Sequence, residues 1–226
     1  MDTKYFEKIR IFDGGMGQEL LSKGLISKGT LWSASALIER EFHKLVIDAH
    51  MSYINAGADI IVTNNFSARK IRFIQNKVLD KFQYANEQAG ILANKAREIS
   101  KQNILIAGSL PSQSDTYVED ERSSSEIQSD FEEQAKIISP YVDFFYLDVV
   151  SSGREIEIAS NIVEKLGKKV VVGIHLKKNC KLPSGENVQN IIEKFRLGYV
   201  PWKNNFYQDL LKLNLFIKNM VALYLK

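Results

Sequence analysis

The chain has 226 residues, 45% of them hydrophobic and 25% charged, with a net charge of +3. That composition supports one substantial core and excludes a disordered or fibrous chain. The basic residues are dispersed, with pairs such as Lys168-Lys169 and Lys177-Lys178 reading as solvated faces, so no nucleic-acid footprint stands out. The start, Met1-Asp2-Thr3-Lys4, lacks the basic-then-apolar pattern of a secretory leader, and the single cysteine, Cys180, excludes an internal disulfide framework. Both features point to the cytoplasm.

In chain order, five short apolar runs read as strands buried on both faces: residues 9–12, 60–62, 104–107, 144–147 and 170–174. The first delivers Asp13 to a turn, Gly14-Gly15, where backbone amides can approach a ligand. Between the runs lie helical patterns. Phe42, Val46, Ala49 and Tyr53 form one stripe, stopped by Gly57, and Phe82, Ala85, Ala89, Leu92, Ala96 and Ile99 form a second. A third opens on Ser123 and Glu126, spaced as a capping box, carries Ile127, Phe131 and Ile138, and halts at Pro140. A fourth covers residues 154–166 and ends at Gly167.

Strand and helix alternating in this way predict a parallel α/β sheet, either doubly wound or a barrel. Val188, Ile191, Ile192 and Phe195 suggest a fifth helix. Beyond Gly198, the spacing of Phe206, Leu210, Leu213, Ile217, Met220 and Tyr224 predicts an amphipathic helix covering sheet surface. Asp209, Lys212 and Lys218 exclude a membrane span.

Familiar phosphate motifs are near-misses. Gly15-Met16-Gly17 continues to Leu20 where a dinucleotide turn needs glycine, and Gly24 to Thr30 lacks the P-loop lysine. His43, His50 and His175 are not spaced as a zinc motif. What remains is a set of polar residues at the C-terminal strand ends: Asp13 with Gly14 and Gly15, Thr63-Asn64-Asn65, Gly108-Ser109 and Asp148. Ligands bind at that edge in parallel α/β folds. Two carboxylates there suit a ligand carrying an ammonium group; the alternative is that Asp13 and Asp148 only cap the following helices.

The residues themselves carry a resemblance. Asp13-Gly14-Gly15-Met16-Gly17-Gln18-Glu19-Leu20, Trp32-Ser33-Ala34-Ser35-Ala36-Leu37 and the long run from His50 to Phe66 are similar to the homocysteine S-methyltransferase family. So are Ala107-Gly108-Ser109-Leu110-Pro111 with Tyr117, and Asp143-Phe144-Phe145-Tyr146-Leu147-Asp148. The matches follow the family's order and extend to Lys181-Leu182-Pro183-Ser184-Gly185-Glu186.

The resemblance implies a (β/α)8 TIM barrel, methionine biosynthesis, and methyl transfer from a sulfonium or betaine-type donor to the homocysteine thiol. It implies substrate binding by Asp13, Gly14, Gly15, Thr63, Asn64 and Asp148. It also implies a zinc ion held by three cysteine thiolates, which one cysteine cannot supply. Where the family usually reads Glu-Thr on the fourth strand, this chain has Asp148-Val149; the shorter acid predicts weaker amine binding, recoverable by Asp148→Glu.

A full barrel takes about 250 residues. The expectation is therefore an incomplete barrel of five parallel strands over residues 1–195 and a divergent helical tail over 196–226, with an exposed edge that predicts instability or homo-oligomerisation. Alternative functions are a non-catalytic amino-acid-binding remnant and a zinc-independent βα enzyme. In each case the partners are small molecules, with neither nucleic acid nor membrane.

Overall fold

The computed structural model describes residues 5–6, 8–177, 179–195, 197–198 and 220–225. In chain order the helices are α1 (Met16–Ser22), α2 (Ser35–Ile38), α3 (His43–Asn55), α4 (Lys70–Gln75), α5 (Phe82–Ser100), α6 (Ser124–Ile138), α7 (Gly153–Lys165) and α8 (Val188–Lys194). The strands are β1 (Ile60–Val62), β2 (Leu105–Pro111), β3 (Phe144–Val150), β4 (Val170–His175), β5 (Leu197–Gly198) and β6 (Met220–Leu225). Strands β1 to β4 pair in parallel in chain order, with Val62 opposite Ala107 and Pro111 opposite Asp148. Across β1 to β4 the order follows the chain without reversal, and β6 and β5 continue the sheet beyond β4.

Local chemistry explains the helix limits. Ser123 Oγ accepts from Glu126 N, and Glu126 Oε2 accepts from Ser123 N at 3.0 Å, closing the capping box that starts α6. Helices α3 and α7 run out into Gly57 and Gly167, both at positive φ, where a side chain would be strained. Among the described residues, no helix is long and apolar enough to cross a membrane.

The two faces of the sheet differ. Ile61, Ile106, Phe145, Leu147, Val170, Val172 and Ile174 share one core with residues of α3, α5, α6 and α7. The opposite face buries Ile60, Ala107, Phe144, Tyr146 and Val171 against Phe6, with Tyr5 and Phe12 at its margin. Phe6 and Phe12 meet the Phe144 ring edge-on, with centroids 5.8 and 6.5 Å away. Helices coat one side, and an aromatic segment from the start of the chain floors the other.

Two expectations are corrected. Residues 9–12 do not form a strand buried on both faces: Phe12 makes one parallel bridge to Ile60, while Ile9 and Ile11 are 70% and 56% exposed. Burial on both faces needs a packed layer over each face, and among the described residues nothing covers Ile9 and Ile11. The predicted tail helix is also replaced where it can be seen. Residues 220–225 are strand β6, antiparallel to β4, with β5 beyond it. An apolar run of six suits a strand as well as a helix, and the open edge of β4 supplies hydrogen-bond partners that a helix would not use. The remaining stripe positions, Phe206 to Ile217, lie outside the described residues.

A buried amide network ties the loops after β1 and β2 to the helices. Asn86 Nδ2 donates to the carbonyls of Ala68 and Phe82, and its Oδ1 accepts from Asn65 and Gln134. Gln134 Oε1 in turn accepts from Gln113. Asn86→Ala is expected to cost about 3 kcal/mol in urea unfolding, because several fully buried groups lose their partners together.

Candidate functional site

Asp13 stands just beyond the Phe12 bridge. Its amide donates to Ile60 O at 2.9 Å and its Oδ2 accepts from Val62 N at 2.9 Å, which locks the carboxylate onto the end of β1. Gly14 and Gly15 follow, both exposed. A Cβ on Gly14 would stand 2.9 Å from the Tyr53 ring, so this close turn requires glycine. Burial raises the Asp13 pKa well above the usual carboxylate range; the Val62 amide opposes that, and the charge of Asp148 adds to it.

Asp148 lies on β3 where pairing with β4 shifts register between Leu147 and Val150. The next residue, Val149, has φ of 67°, an outlier for a β-branched side chain. A bulge of this kind re-aims neighbouring side chains, and it occurs here at the strand's C-terminal end. Asp148 Oδ2 accepts from Ser109 Oγ at 2.8 Å. Burial pushes its pKa up to about 6, against the lowering effects of the Ser109 hydrogen bond and the Arg69 charge. Both acids act on Tyr146, whose ionisation is suppressed by burial first and then by Asp148 and Asp13. The Tyr146 ring covers Gly173 of β4 so closely that a Cβ there would fall 2.4 Å from the phenol oxygen.

The two acids therefore share one electrostatic environment at one end of the sheet. Neither caps a helix: α1 starts at Gly15 without a side-chain cap, and α7 is capped by Ser152 Oγ, which accepts from Glu155 N. Thr63 and Asn64 stand beside them but are engaged within the protein. Thr63 Oγ1 donates to Asn65 Oδ1 at 2.6 Å and accepts from Ser109 N, so it helps position the serine that holds Asp148. Asn64 Nδ2 donates to Ser33 O at 3.1 Å. At the rim, Tyr117 meets His175 edge-on, with centroids 4.8 Å apart, and is half exposed at φ of 70°.

The sequence reading overlooked Arg69, which is only 3% exposed. It sits in the polar run after β1, where a cation reads as surface charge. Tyr146 lies in an apolar run, where an aromatic signals core.

Among the described residues, no three His, Cys, Asp or Glu side chains come together as a metal site. Cys180 lies in the loop after β4, partly buried against the helix-side core, with its amide donating to Lys177 O at 3.0 Å. The residues present do not fit a zinc ion held by three thiolates.

The homocysteine S-methyltransferase family matches residues 10–202. Homocysteine S-methyltransferase 1 of Zea mays is 39% identical over 64 residues, 28% of this chain and 19% of that protein. Homocysteine S-methyltransferase of Escherichia coli is 32% identical over 115 residues, 46% of this chain and 35% of that protein. The matched stretches thus span 19% and 35% of those relatives' lengths. In structure, the chain resembles the metallated homocysteine methyltransferase MmuM of E. coli, with a TM-score of 0.75 and 21% identity, covering 86% of this chain and 73% of that one. The apo form of the same enzyme gives a TM-score of 0.63.

Proposed function

Because the chain belongs to the homocysteine S-methyltransferase family, we propose that its acidic strand-end site binds homocysteine, with Asp13 and Asp148 holding the ammonium group. Gly14 and Gly15 offer open backbone at the same turn, and Thr63 and Asn64 support the site from behind. The sheet, in this reading, is a sector of a (β/α)8 barrel. The observation that carries it is the pair of carboxylates fixed at the C-terminal strand ends, Asp13 by the Val62 amide and Asp148 by the Ser109 hydroxyl, with burial raising both pKa values. Burial disfavours the charged form of both acids, and the Asp148 charge adds to that at Asp13, so a cation bound there relieves the cost.

The methyl-transfer half of the reaction fits less well. Displacement at a sulfonium or betaine-type methyl group needs an oriented thiolate. This chain's residues supply orientation, and its one cysteine cannot assemble the three-thiolate metal site that would hold the sulfur deprotonated. We therefore assign the chain homocysteine binding without methyl transfer of its own.

Calorimetry with L-homocysteine, paired with a methylation assay using S-methylmethionine, S-adenosylmethionine and betaine with and without zinc, tests this. Binding without turnover is expected. Zinc-dependent turnover would overturn the assignment of binding alone, and zinc-independent turnover would establish a different mechanism. Failure to bind homocysteine would remove the reading altogether.

A further inference from the structure

Arg69 is buried with its guanidinium against the loop after β2. Its Nη1 donates to two carbonyls of the loop after β2, Ser112 O at 3.1 Å and Ser114 O. The Nε, by contrast, is buried with no hydrogen-bond partner among the described residues. The recorded hydrogen bonds thus use one nitrogen of the guanidinium, and the Nε–Nη2 edge is left over. That is the side-on edge along which arginine takes a carboxylate in two parallel hydrogen bonds.

A buried, half-satisfied guanidinium is costly, so folding alone gives no reason for it. Among the described residues, no acid is hydrogen-bonded to that edge. Asp115, the acid in the loop Arg69 braces, is paired with Arg72 at 2.9 Å.

Position completes the argument. Ser112, which Arg69 grips, directly follows Pro111, the strand partner of Asp148, and Ser112 Oγ reaches Val149 O at 3.4 Å. The guanidinium therefore stands at the same end of the sheet as the acidic pair, with its Cζ 5.6 Å from the Phe66 ring centroid. Burial lowers its pKa to about 10, which leaves it a cation at neutral pH, and Asp148 is among the charges acting on it. Two acids and one unfilled guanidinium edge at one mouth match an α-amino acid zwitterion in both signs.

We propose that Arg69 receives the α-carboxylate of the bound amino acid along its Nε–Nη2 edge, opposite an ammonium group held by Asp13 and Asp148. This rests on the amino-acid reading above and adds the group that would distinguish an amino acid from a simple amine.

The test is calorimetry of the wild-type chain, Arg69→Gln and Arg69→Lys with L-homocysteine and with 3-aminopropane-1-thiol, the same molecule without its carboxylate. Wild type is expected to favour homocysteine by about 100-fold, the scale of a bidentate charge-assisted pair. Arg69→Gln should erase that preference, its loss for homocysteine exceeding any change for the aminothiol by about the same 100-fold. Equal loss for both ligands, or loss for neither, overturns the assignment, because a structural brace would not separate them.

If Arg69→Gln proves unfolded by circular dichroism, Arg69→Lys decides. It keeps a cation for the two carbonyls but lacks the side-on pair, so it must still lose selectivity. Should wild type bind the aminothiol as well as homocysteine, only the carboxylate assignment falls. Should it bind neither, the amino-acid reading falls first.

Discussion

L-Homocysteine is expected to bind this chain about tenfold more weakly for each pH unit below about 6, the value to which burial raises Asp148. The ligand's ammonium stays protonated throughout that range, so the loss tracks the carboxylate alone. Asp13, also raised, steepens the fall wherever both titrate together.

Asp148→Asn should weaken binding more than about 100-fold at pH 8, the size seen when one partner of a buried charge pair is removed, and should flatten the pH dependence. The same substitution should stabilise the unliganded chain at pH 8 by up to about 3 kcal/mol. The sign follows from linkage. A carboxyl that holds its proton more tightly when folded favours the fold at low pH, and that advantage is lost as pH rises from the unfolded value near 3.8 to about 6. Asparagine carries no charge and its Oδ1 can still accept from Ser109. Calorimetry from pH 5 to 8 together with urea melts checks both halves, and weaker binding without added stability would refute the account of Asp148 as a strained, desolvated acid.

His50→Leu is the second large effect, and its pH dependence has the opposite sign. Both ring nitrogens of His50 are buried on α3 with no partner among the described residues, and burial holds its pKa down to about 3. At neutral pH, leucine should stabilise the chain by about 1–3 kcal/mol by removing unpaired polar atoms. Below the unfolded histidine value of 6.5 the gain should grow, because the unfolded chain takes up a proton that the folded one refuses until about pH 3. At pH 4.5 the extra gain is about 3 kcal/mol. Urea unfolding of both proteins at pH 7.5 and 4.5 measures it, and an equal difference at the two pH values would contradict the burial of a neutral imidazole. His50 and Asp148 pull stability in opposite directions between pH 4 and 6, so the wild-type curve should look deceptively flat there.

What could be read from the sequence depended on whether the deciding contact was local. The β-branched runs at Ile60-Ile61-Val62 and Val170-Val171-Val172 announce buried strands, and Ser123 with Glu126 announces the start of α6, because each signal lies within a few residues. Asp13 and Asp148 were legible as strand-end acids for the same reason. The exposure of Ile9 and Ile11 was not, since it depends on which distant segments pack over residues 9–12. The bulge at Val149 carries no sequence signal; valine is among the residues least suited to positive φ, and neighbouring strands impose it. Arg69 is hidden among polar neighbours, and its burial comes from carbonyls more than forty positions along the chain.

The aromatic floor contributed by Tyr5, Phe6 and Phe12 has a practical consequence for handling the protein. That side of the sheet is covered by a short segment whose Phe6 ring packs on Phe144 and whose Arg10 and Ile11 are tied to Asp59 and Ile60 by an ion pair and backbone hydrogen bonds. A fusion partner or affinity tag joined directly ahead of it would compete with that docking, and trimming past Phe12 would leave Phe144 and Tyr146 in contact with water. Tags belong elsewhere, and a clipped preparation should be suspected first when material precipitates.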